Sequence, residues 1–328
     1  MKKNRLLRNL FFLLIGFFIL KWVYGVFEGE EAIKIIRDNF DKFYILVIAH
    51  LPTLFFDSLT WYILISKKKL SFLWALTITW IAQTSGKFLP TGNITGEFVR
   101  IYLGFKKGLS TYESTSTVLT DLVLATFSLF FIALISYLIL VLNDFSLFDL
   151  NNSYYMYFSL GFIFLGCLFF YFIISKRFLK SLIKRFKNSD ILKIDKKKIF
   201  TILKVDYSLY QLSKNKSKLL KAFITRLLGW VAGAFEIYIF LYIIGVEITI
   251  LDVILIEAFS GIIRALVFFI PAGIGVQELA FVIIGGYVGL SSSISFSIAL
   301  GRRIREILVG LPGIIVWYLI FSKKKGSG

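Results

Sequence analysis

Several apolar runs in this chain reach roughly 20 residues, the length at which an α-helix spans the hydrocarbon core of a bilayer, and no other feature constrains the fold as strongly. The runs cover about 7–27, 43–65, 115–142, 154–174, 219–244 and 294–321. Hydrophobic residues make up 57% of the sequence, whereas about 45–50% is usual in soluble domains. The sequence therefore predicts an all-α polytopic membrane protein with about six full spans.

The formal net charge of +18 does not indicate a nucleic-acid-binding protein, because the charged residues cluster in the loops between the apolar runs. That arrangement follows the positive-inside rule and suits anionic lipid headgroups. We therefore expect membrane lipids, anionic ones above all, as partners, and no nucleic acid. The sequence leaves open whether the chain forms a homo-oligomer.

The chain contains a single cysteine, Cys167, and a single histidine, His50. These two residues cannot build a disulfide framework or a Cys/His metal site, so we expect no metal and no cofactor. His50 lies near Pro52 inside an apolar run. It either joins a proton path or packs in the helix bundle with its polar atoms satisfied.

Loop charges assign a side of the membrane to each span. The basic residues near both ends of the chain place both termini in the cytoplasm, which predicts a multi-pass protein of the cell (cytoplasmic) membrane. The acid-rich loop 28–42 is expected outside. Within it, the helical spacing of Ile33, Ile36 and Phe40 predicts a surface helix.

Under this topology, two segments must enter the membrane and return to the side from which they entered. Residues 70–105 lie between Lys67–Lys69 and Lys106–Lys107, which are both on the cytoplasmic side, and residues 251–290 start and end outside. A segment of this length makes two short helices at about 1.5 Å per residue. We therefore predict two oppositely oriented re-entrant helical hairpins that form an inverted repeat, a design that transporters use near the bilayer midplane.

The two predicted hairpin tips carry related sequences, FLPTGNITGE at Phe88–Glu97 and FIPAGIGVQE at Phe269–Glu278. Each has a Pro that ends the incoming helix, glycines that permit a sharp turn and the close approach of a ligand, and a Glu seven residues after the Pro. A helix that begins inside the membrane presents free N–H groups and a positive dipole end, which suit an anionic group such as a phosphate. The predicted substrate-binding residues are Pro90, Gly92, Gly96, Glu97, Arg100, Arg264, Pro271, Gly273, Gly275, Glu278, Arg302 and Arg303.

The charged residues near the tips have two interpretations each. Glu97 and Glu278 either cap the outgoing helices or bind a coupling proton or cation. They are also candidates to pair with Arg100 and Arg264. These two arginines either bind a phosphate in bidentate fashion or lie as snorkelling, ion-paired bases.

Further charged residues fall at membrane depth. At least one of Arg302, Arg303 and Arg305 is expected to face a cavity, because all three lie within the last predicted span. Four carboxylates are expected to pair with the bases, and these are Asp57, Asp121, Glu236 and Glu257.

The first tip and the residues after it, PTGNITGEFVR, resemble the P-G-G-x-x-G-E-x-x-R motif of the lysylphosphatidylglycerol synthase transmembrane-region family, and the second tip resembles the family's P-G-G-x-G-x-x-E motif. Thr91 and Ala272 stand where the family has its middle Gly, and Asp121 is followed by Leu122 where the family often has Arg. The soluble aminoacyl-transferase domain of the bifunctional members has no counterpart in this sequence. The resemblance therefore implies lipid translocation by a flippase-like domain and no enzyme activity. The matching positions are Pro90, Gly92, Gly96, Glu97, Arg100, Pro271, Gly273, Gly275 and Glu278.

We expect one integral-membrane flippase-like domain over residues 1–325, with the terminal Gly-Ser-Gly at 326–328 set aside as vector-derived. The sequence FLKSLIKRFK, which begins at Phe178, predicts an amphipathic helix on anionic lipid. The expected parts are a first half, 1–174, with hairpin 70–105, a basic cytosolic surface segment, 175–218, and a second half, 219–321, with hairpin 251–290.

The sequence favours a membrane lipid transporter that moves an anionic phospholipid or a polyprenyl-phosphate-type lipid across the bilayer, with the headgroup held between the two hairpin tips. Two alternatives stay open, an intramembrane transferase acting on a lipid phosphate and a secondary transporter of small anions. The sequence contains no P-loop nucleotide-binding motif. Transport would therefore be driven by an ion gradient or run downhill.

Overall fold

The computed structural model describes residues 2–66, 69–89, 94–142, 176–186, 196–267 and 270–322, together with Gly161, Phe164, Leu165, Leu168, Tyr171 and Phe172. Over these residues the chain is built from α-helices, with no β-strand. The predicted span 154–174 falls almost entirely outside the described residues, as do Pro90 and Gly92 of the first tip.

The described residues form twelve α-helices. Those of the first half are α1 (Lys2–Val26), α2 (Gly29–Asp38), α3 (Phe43–Leu64), α4 (Phe72–Phe88), α5 (Ile94–Lys106) and α6 (Thr111–Leu142). The remainder are α7 (Phe178–Phe186), α8 (Lys196–Lys214), α9 (Lys216–Ile243), α10 (Ile250–Leu266), α11 (Val276–Tyr287) and α12 (Ser292–Trp317). Short 3₁₀ turns precede α3 and α11, at Phe40–Lys42 and Pro271–Gly273.

Four helical stretches of the described chain are long and apolar enough to cross a bilayer individually. A fifth candidate is a bent pair, Phe11–Val26 with Gly29–Asp38, whose two parts meet at 86°. This confirms the prediction of an all-α multi-pass membrane protein. The four single stretches are Phe40–Leu64, Thr111–Leu138, Lys216–Ile243 and Ser292–Phe321.

Local sequence explains where four of the helices begin. A side-chain oxygen at the N-cap accepts a hydrogen bond from a backbone N–H of the first turn, which satisfies one of the donors left free there. Ser71 caps α4, Asn215 caps α9, Thr249 caps α10 and Ser291 caps α12. All four of these helices line the cavity described below, so the caps help to fix the positions of its walls.

Helices α4 and α5 pack against each other as the first helical hairpin. An apolar cluster with Trp61, Ile78 and Leu103 holds them to α3. The two arms touch at Gly96, where a Cβ atom would lie 2.5 Å from the carbonyl oxygen of Ala82. A side chain at position 96 would therefore push the arms apart, which gives Gly96 a packing role in addition to its predicted place at a binding site.

Helices α10 and α11 form the second hairpin, and their turn has unusual backbone geometry. Gly273 and Gly275 have φ values of +62° and +79°, in the left-handed region that glycine adopts without strain. Ala272 also has a positive φ of 53°, although a Cβ atom makes that region costly. Gly275 lies against the backbone of α1, since a Cβ there would be 2.8 Å from the amide nitrogen of Leu20.

The surface helix predicted in the first loop is α2. It lies against α12 and buries Gly29, Ala32 and Ile36. Ile33 and Phe40 are exposed instead, because the face that packs is set by the 86° bend between α1 and α2. The predicted amphipathic helix in the basic segment is α7.

Candidate functional site

A cavity of about 350 Å³ lies among the helices of both hairpins and the central helices α3, α6, α9 and α12. Its wall is rich in charge, which is expensive at membrane depth unless the charges pair with one another. Bases and carboxylates occur in equal number. The charged lining residues are Lys87, Arg100, Arg226, Arg264, Arg302 and Arg305, and Asp57, Glu97, Asp121, Glu236, Glu257 and Glu306.

One cluster of the wall joins the first hairpin to α9. Arg100 of α5 donates to Glu97 and, at 2.6 Å, to Asp121 Oδ2. Arg226 of α9 donates to the other Asp121 oxygen and to Asp57. Asp121 is fully buried. Two arginines contact three carboxylates here, and these ion pairs fix α5, α6, α9 and α3 to one another.

A second cluster centres on Glu236 of α9. Its Oε1 accepts from Thr53 Oγ1 at 2.6 Å and lies 2.8 Å from His50 Nδ1. Its Oε2 lies 2.9 Å from Arg305 Nη2. The carboxylate thereby connects α3, α9 and α12, and His50 packs with one of its ring nitrogens satisfied.

The turn of the second hairpin is held by Glu278 and Arg303. Glu278 Oε2 accepts from the Gly275 backbone N–H at 2.7 Å, and its Oε1 accepts from Arg303 Nε at 2.8 Å. Arg303 also donates to the Ala272 carbonyl at 2.8 Å. Glu278 therefore caps α11. Its basic partner is Arg303 and not Arg264, the candidate that the sequence offered, because α12 packs directly on α11.

The remaining bases of the cavity differ in whether they form an ion pair. Arg302 pairs with Glu257, and Lys87 pairs with Glu306. Arg264, in contrast, has no hydrogen bond and no ion pair anywhere in the described part of the chain, although it lines the cavity. Its Cγ would lie 3.8 Å from a Cβ built on Gly273, which places Arg264 against the second tip.

A second unsatisfied donor lies in the same wall. Gln277 of α11 lines the cavity with only 2% of its surface exposed, and its Nε2 has no hydrogen-bond partner. A buried donor without an acceptor is costly. Arg264 and Gln277 together therefore make this end of the cavity suited to a ligand that offers acceptor oxygens, such as a phosphate or a carboxylate.

The structure places five of the twelve predicted site residues in the wall of the cavity. Gly96, Glu97, Arg100, Arg264 and Arg302 line it. Pro271, Gly273 and Gly275 form the turn beside it, and Glu278 and Arg303 hold that turn without lining the cavity. Of the three neighbouring arginines in α12, Arg302 and Arg305 face the cavity.

Arg226 and Gln277 are cavity residues that the sequence analysis did not select. Arg226 is the charged one. It supplies the positive charge next to Asp121 that the residue after Asp121, Leu122, does not provide. The available signal was its position, a base inside the apolar run 219–244 and ten residues before Glu236. The described residues contain no group of three or more His, Cys, Asp or Glu side chains that could hold a metal ion.

A family model, described as the lysylphosphatidylglycerol synthase TM region, matches residues 9–313 of the 328-residue chain. The matched range includes both hairpins and every charged residue of the cavity wall. No curated protein and no solved structure gives a significant match.

Proposed function

Since the chain belongs to the lysylphosphatidylglycerol synthase TM-region family, we propose that it is a flippase-like transporter of a lipid with an anionic headgroup. The substrate is a phospholipid or a polyprenyl-phosphate-type lipid, and its phosphate binds in the cavity at the second hairpin tip. The protein carries out no reaction on the lipid. Both termini lie on the cytoplasmic side of the cell membrane.

The observation that carries this proposal is the free guanidinium of Arg264. The other five cavity bases each have a carboxylate partner among the described residues. Arg264 is partly buried, and a partly buried guanidinium without an ion pair is unfavourable. A bound phosphate would supply that pair through bidentate hydrogen bonds. Gln277 Nε2 adds a neutral donor from α11.

The dimensions of the hairpins support a site reached from the membrane. Their arms contain 17 and 13 residues in α4 and α5, and 17 and 12 residues in α10 and α11. At 1.5 Å per residue these helices extend roughly 18–26 Å, less than the about 30 Å hydrocarbon core. We therefore interpret both hairpins as re-entrant, and the loop charges as indicating entry from opposite faces.

The size of the cavity fits a headgroup and not a whole lipid. A volume of about 350 Å³ is at the lower end of ligand pockets. The lipid chains would therefore remain in the bilayer while the headgroup crosses through the cavity. The same volume also suits a small free anion, so the experiment must separate the two substrates.

A reconstitution experiment tests the proposal. The full chain is placed in liposomes that contain fluorescent phosphatidylglycerol, and the appearance of the label in the opposite leaflet is followed by dithionite quenching. A parallel set of liposomes is loaded with radiolabelled inorganic phosphate. We expect movement of the lipid and not of free phosphate. Movement of free phosphate alone would indicate a small-anion transporter, and a chemically altered headgroup would indicate a transferase.

Variants of Arg264 tie the activity to the site. Arg264→Ala should lower the rate at least about tenfold, since one bidentate charged contact contributes roughly 1.5–3 kcal/mol. Arg264→Lys should retain part of the transport rate, because an ammonium keeps the charge without the planar geometry of the guanidinium. Lys221→Ala is the matched control, as Lys221 is an exposed base of α9 outside the cavity wall. A wild-type rate in Arg264→Ala would remove Arg264 as the anion site.

A further inference from the structure

His50 lies in the cavity wall, but binding of the headgroup at Arg264 does not use it. We propose that His50 is a proton-binding site, and that the proton enters the cavity together with the anionic headgroup. This inference rests on the proposed function and adds the coupling ion to it.

The geometry leaves one ring nitrogen of His50 available. Nδ1 lies 2.8 Å from Glu236 Oε1, so in the neutral ring this nitrogen carries the hydrogen and donates it to the carboxylate. Nε2 makes no hydrogen bond to any described residue. A proton can therefore add to the Nε2 lone pair, giving an imidazolium without breaking the contact to Glu236.

The charge of Glu236 explains why a proton on His50 affects an anion. With His50 neutral, Arg305 is the charged partner of Glu236, at 2.9 Å. An imidazolium at His50 would share that carboxylate, and the trio of His50, Glu236 and Arg305 would carry one net positive charge. This charge, and the guanidinium of Arg305, then become available to an anion in the same cavity.

The surrounding charges make the two binding events interdependent. Burial of the ring, and the charges of Arg305 from α12 and Lys87 from α4, oppose a positive charge on His50, whereas Glu236 from α9 favours it. Asp57, on the same helix, and Asp121 of α6 are both engaged by Arg226. The turn Phe40–Lys42 before α3 supplies no charged residue to the cavity wall.

The consequence of this arrangement is coupling between proton and headgroup. A bound phosphate offsets the repulsion from Lys87 and Arg305, so the anion raises the affinity for the proton. By linkage, the proton raises the affinity for the anion by the same factor. Histidine suits this role because its ordinary pKa of about 6.5 allows it to change charge near neutral pH.

Proton uptake on lipid binding tests the inference directly. Purified full chain in weakly buffered detergent at neutral pH receives short-chain phosphatidylglycerol, and a pH indicator reports the protons taken up while calorimetry reports binding. We expect up to about one proton per bound lipid, and an affinity that falls by as much as tenfold per pH unit between the pKa of His50 in the free protein and its higher pKa in the lipid-bound protein.

Two variants separate His50 from the other groups. His50→Gln keeps an N–H donor for Glu236 but cannot take up a proton, so its lipid binding should lose the proton uptake and the pH dependence. Glu236→Gln removes the carboxylate that both His50 and Arg305 contact, and it should likewise bind lipid without proton uptake. If one variant does not fold, the other still decides the matter.

The outcomes distinguish failure of this inference from failure of the proposed function. Lipid binding by the wild type without proton uptake would overturn the proton site and leave the lipid transporter intact. Uptake that persists in His50→Gln or in Glu236→Gln would also overturn it. A wild type that binds and transports no lipid would contradict the proposed function, and this inference with it.

Discussion

Lys87 of α4 forms an ion pair with Glu306 of α12, 219 residues further along the chain. Lys87 is the last charged residue before the first hairpin tip, and Glu306 lies in the helix that also holds the second tip through Arg303. Arg303 approaches the other Glu306 oxygen at 3.4 Å. This carboxylate therefore connects the two hairpins.

Removing one member of this pair should be more damaging than removing both. Lys87→Met leaves the buried Glu306 carboxylate with only the 3.4 Å contact to Arg303, and Glu306→Gln leaves Lys87 without its ion pair. Because Lys87 is partly exposed, each change should cost about 1–3 kcal/mol. The double variant should recover part of that loss. Thermal unfolding of the four proteins in detergent forms a double-mutant cycle, and strictly additive losses would show that the pair does not couple the hairpins.

The turn of the second hairpin contains one residue, Ala272, whose backbone conformation is costly for a residue with a Cβ atom. Ala272 has a φ of 53°, which costs an L-residue roughly 1–2 kcal/mol. Ala272→Gly should therefore stabilise the protein by about 1 kcal/mol, in agreement with the glycine that the family motif has there. Ala232→Gly, within α9, is the matched control and should destabilise by about 1 kcal/mol. Equal losses in both variants would contradict the strain at Ala272.

The sequence was sufficient for the all-α class of the fold and for the break between the two helices of each hairpin, for local physical reasons. Apolar runs specify the candidate spans, and side chains such as Ser71 and Asn215 specify where helices begin. Pro271 with two glycines specifies the second turn. Charged residues at membrane depth were correctly expected to pair, since the alternative is an uncompensated charge in an apolar medium.

The partners of those charges could not be predicted, because they depend on how helices distant in sequence pack. Asp121 lies 105 residues from Arg226, and His50 lies 186 residues from Glu236. Every carboxylate of the cavity had several bases as candidates. The selection of Arg303 over Arg264 as the partner of Glu278 is decided by the contact between α11 and α12, which no local pattern reports. That selection is what leaves Arg264 free.

Arg226 should be essential to stability. It forms ion pairs with both Asp57 and Asp121. Gln83 also contacts Asp57, and Arg100 also contacts Asp121. Arg226→Met should lower the free energy of unfolding by about 3–5 kcal/mol, because the Asp57 carboxylate loses its charged partner. Arg226→Lys should retain only part of the lost free energy of unfolding, since an ammonium cannot bind two carboxylates with the fork geometry of a guanidinium.

The control for Arg226 is Lys221→Met, a base-to-Met change on the exposed part of the same helix. It should shift the thermal midpoint little, as exposed charges contribute within about 0.5 kcal/mol. If the two Met variants unfold at the same temperature, the bridge from Arg226 to the two aspartates does not stabilise the fold.

Glu278→Gln should lower stability without changing how activity depends on pH. Both Glu278 oxygens are engaged, one by the Gly275 N–H and the other by Arg303 Nε, and the residue is 2% exposed. A carboxylate held in this way acts as the cap of α11, and a loss of roughly 1–3 kcal/mol is expected when one of its contacts is weakened. His50→Gln should behave in the opposite manner, with the pH dependence lost. Lipid transport by both variants between pH 5.5 and 8.5, measured alongside thermal unfolding, compares them directly. If the pH profile shifts in Glu278→Gln and stays as in the wild type in His50→Gln, the proton binds at the second hairpin tip and not beside Glu236.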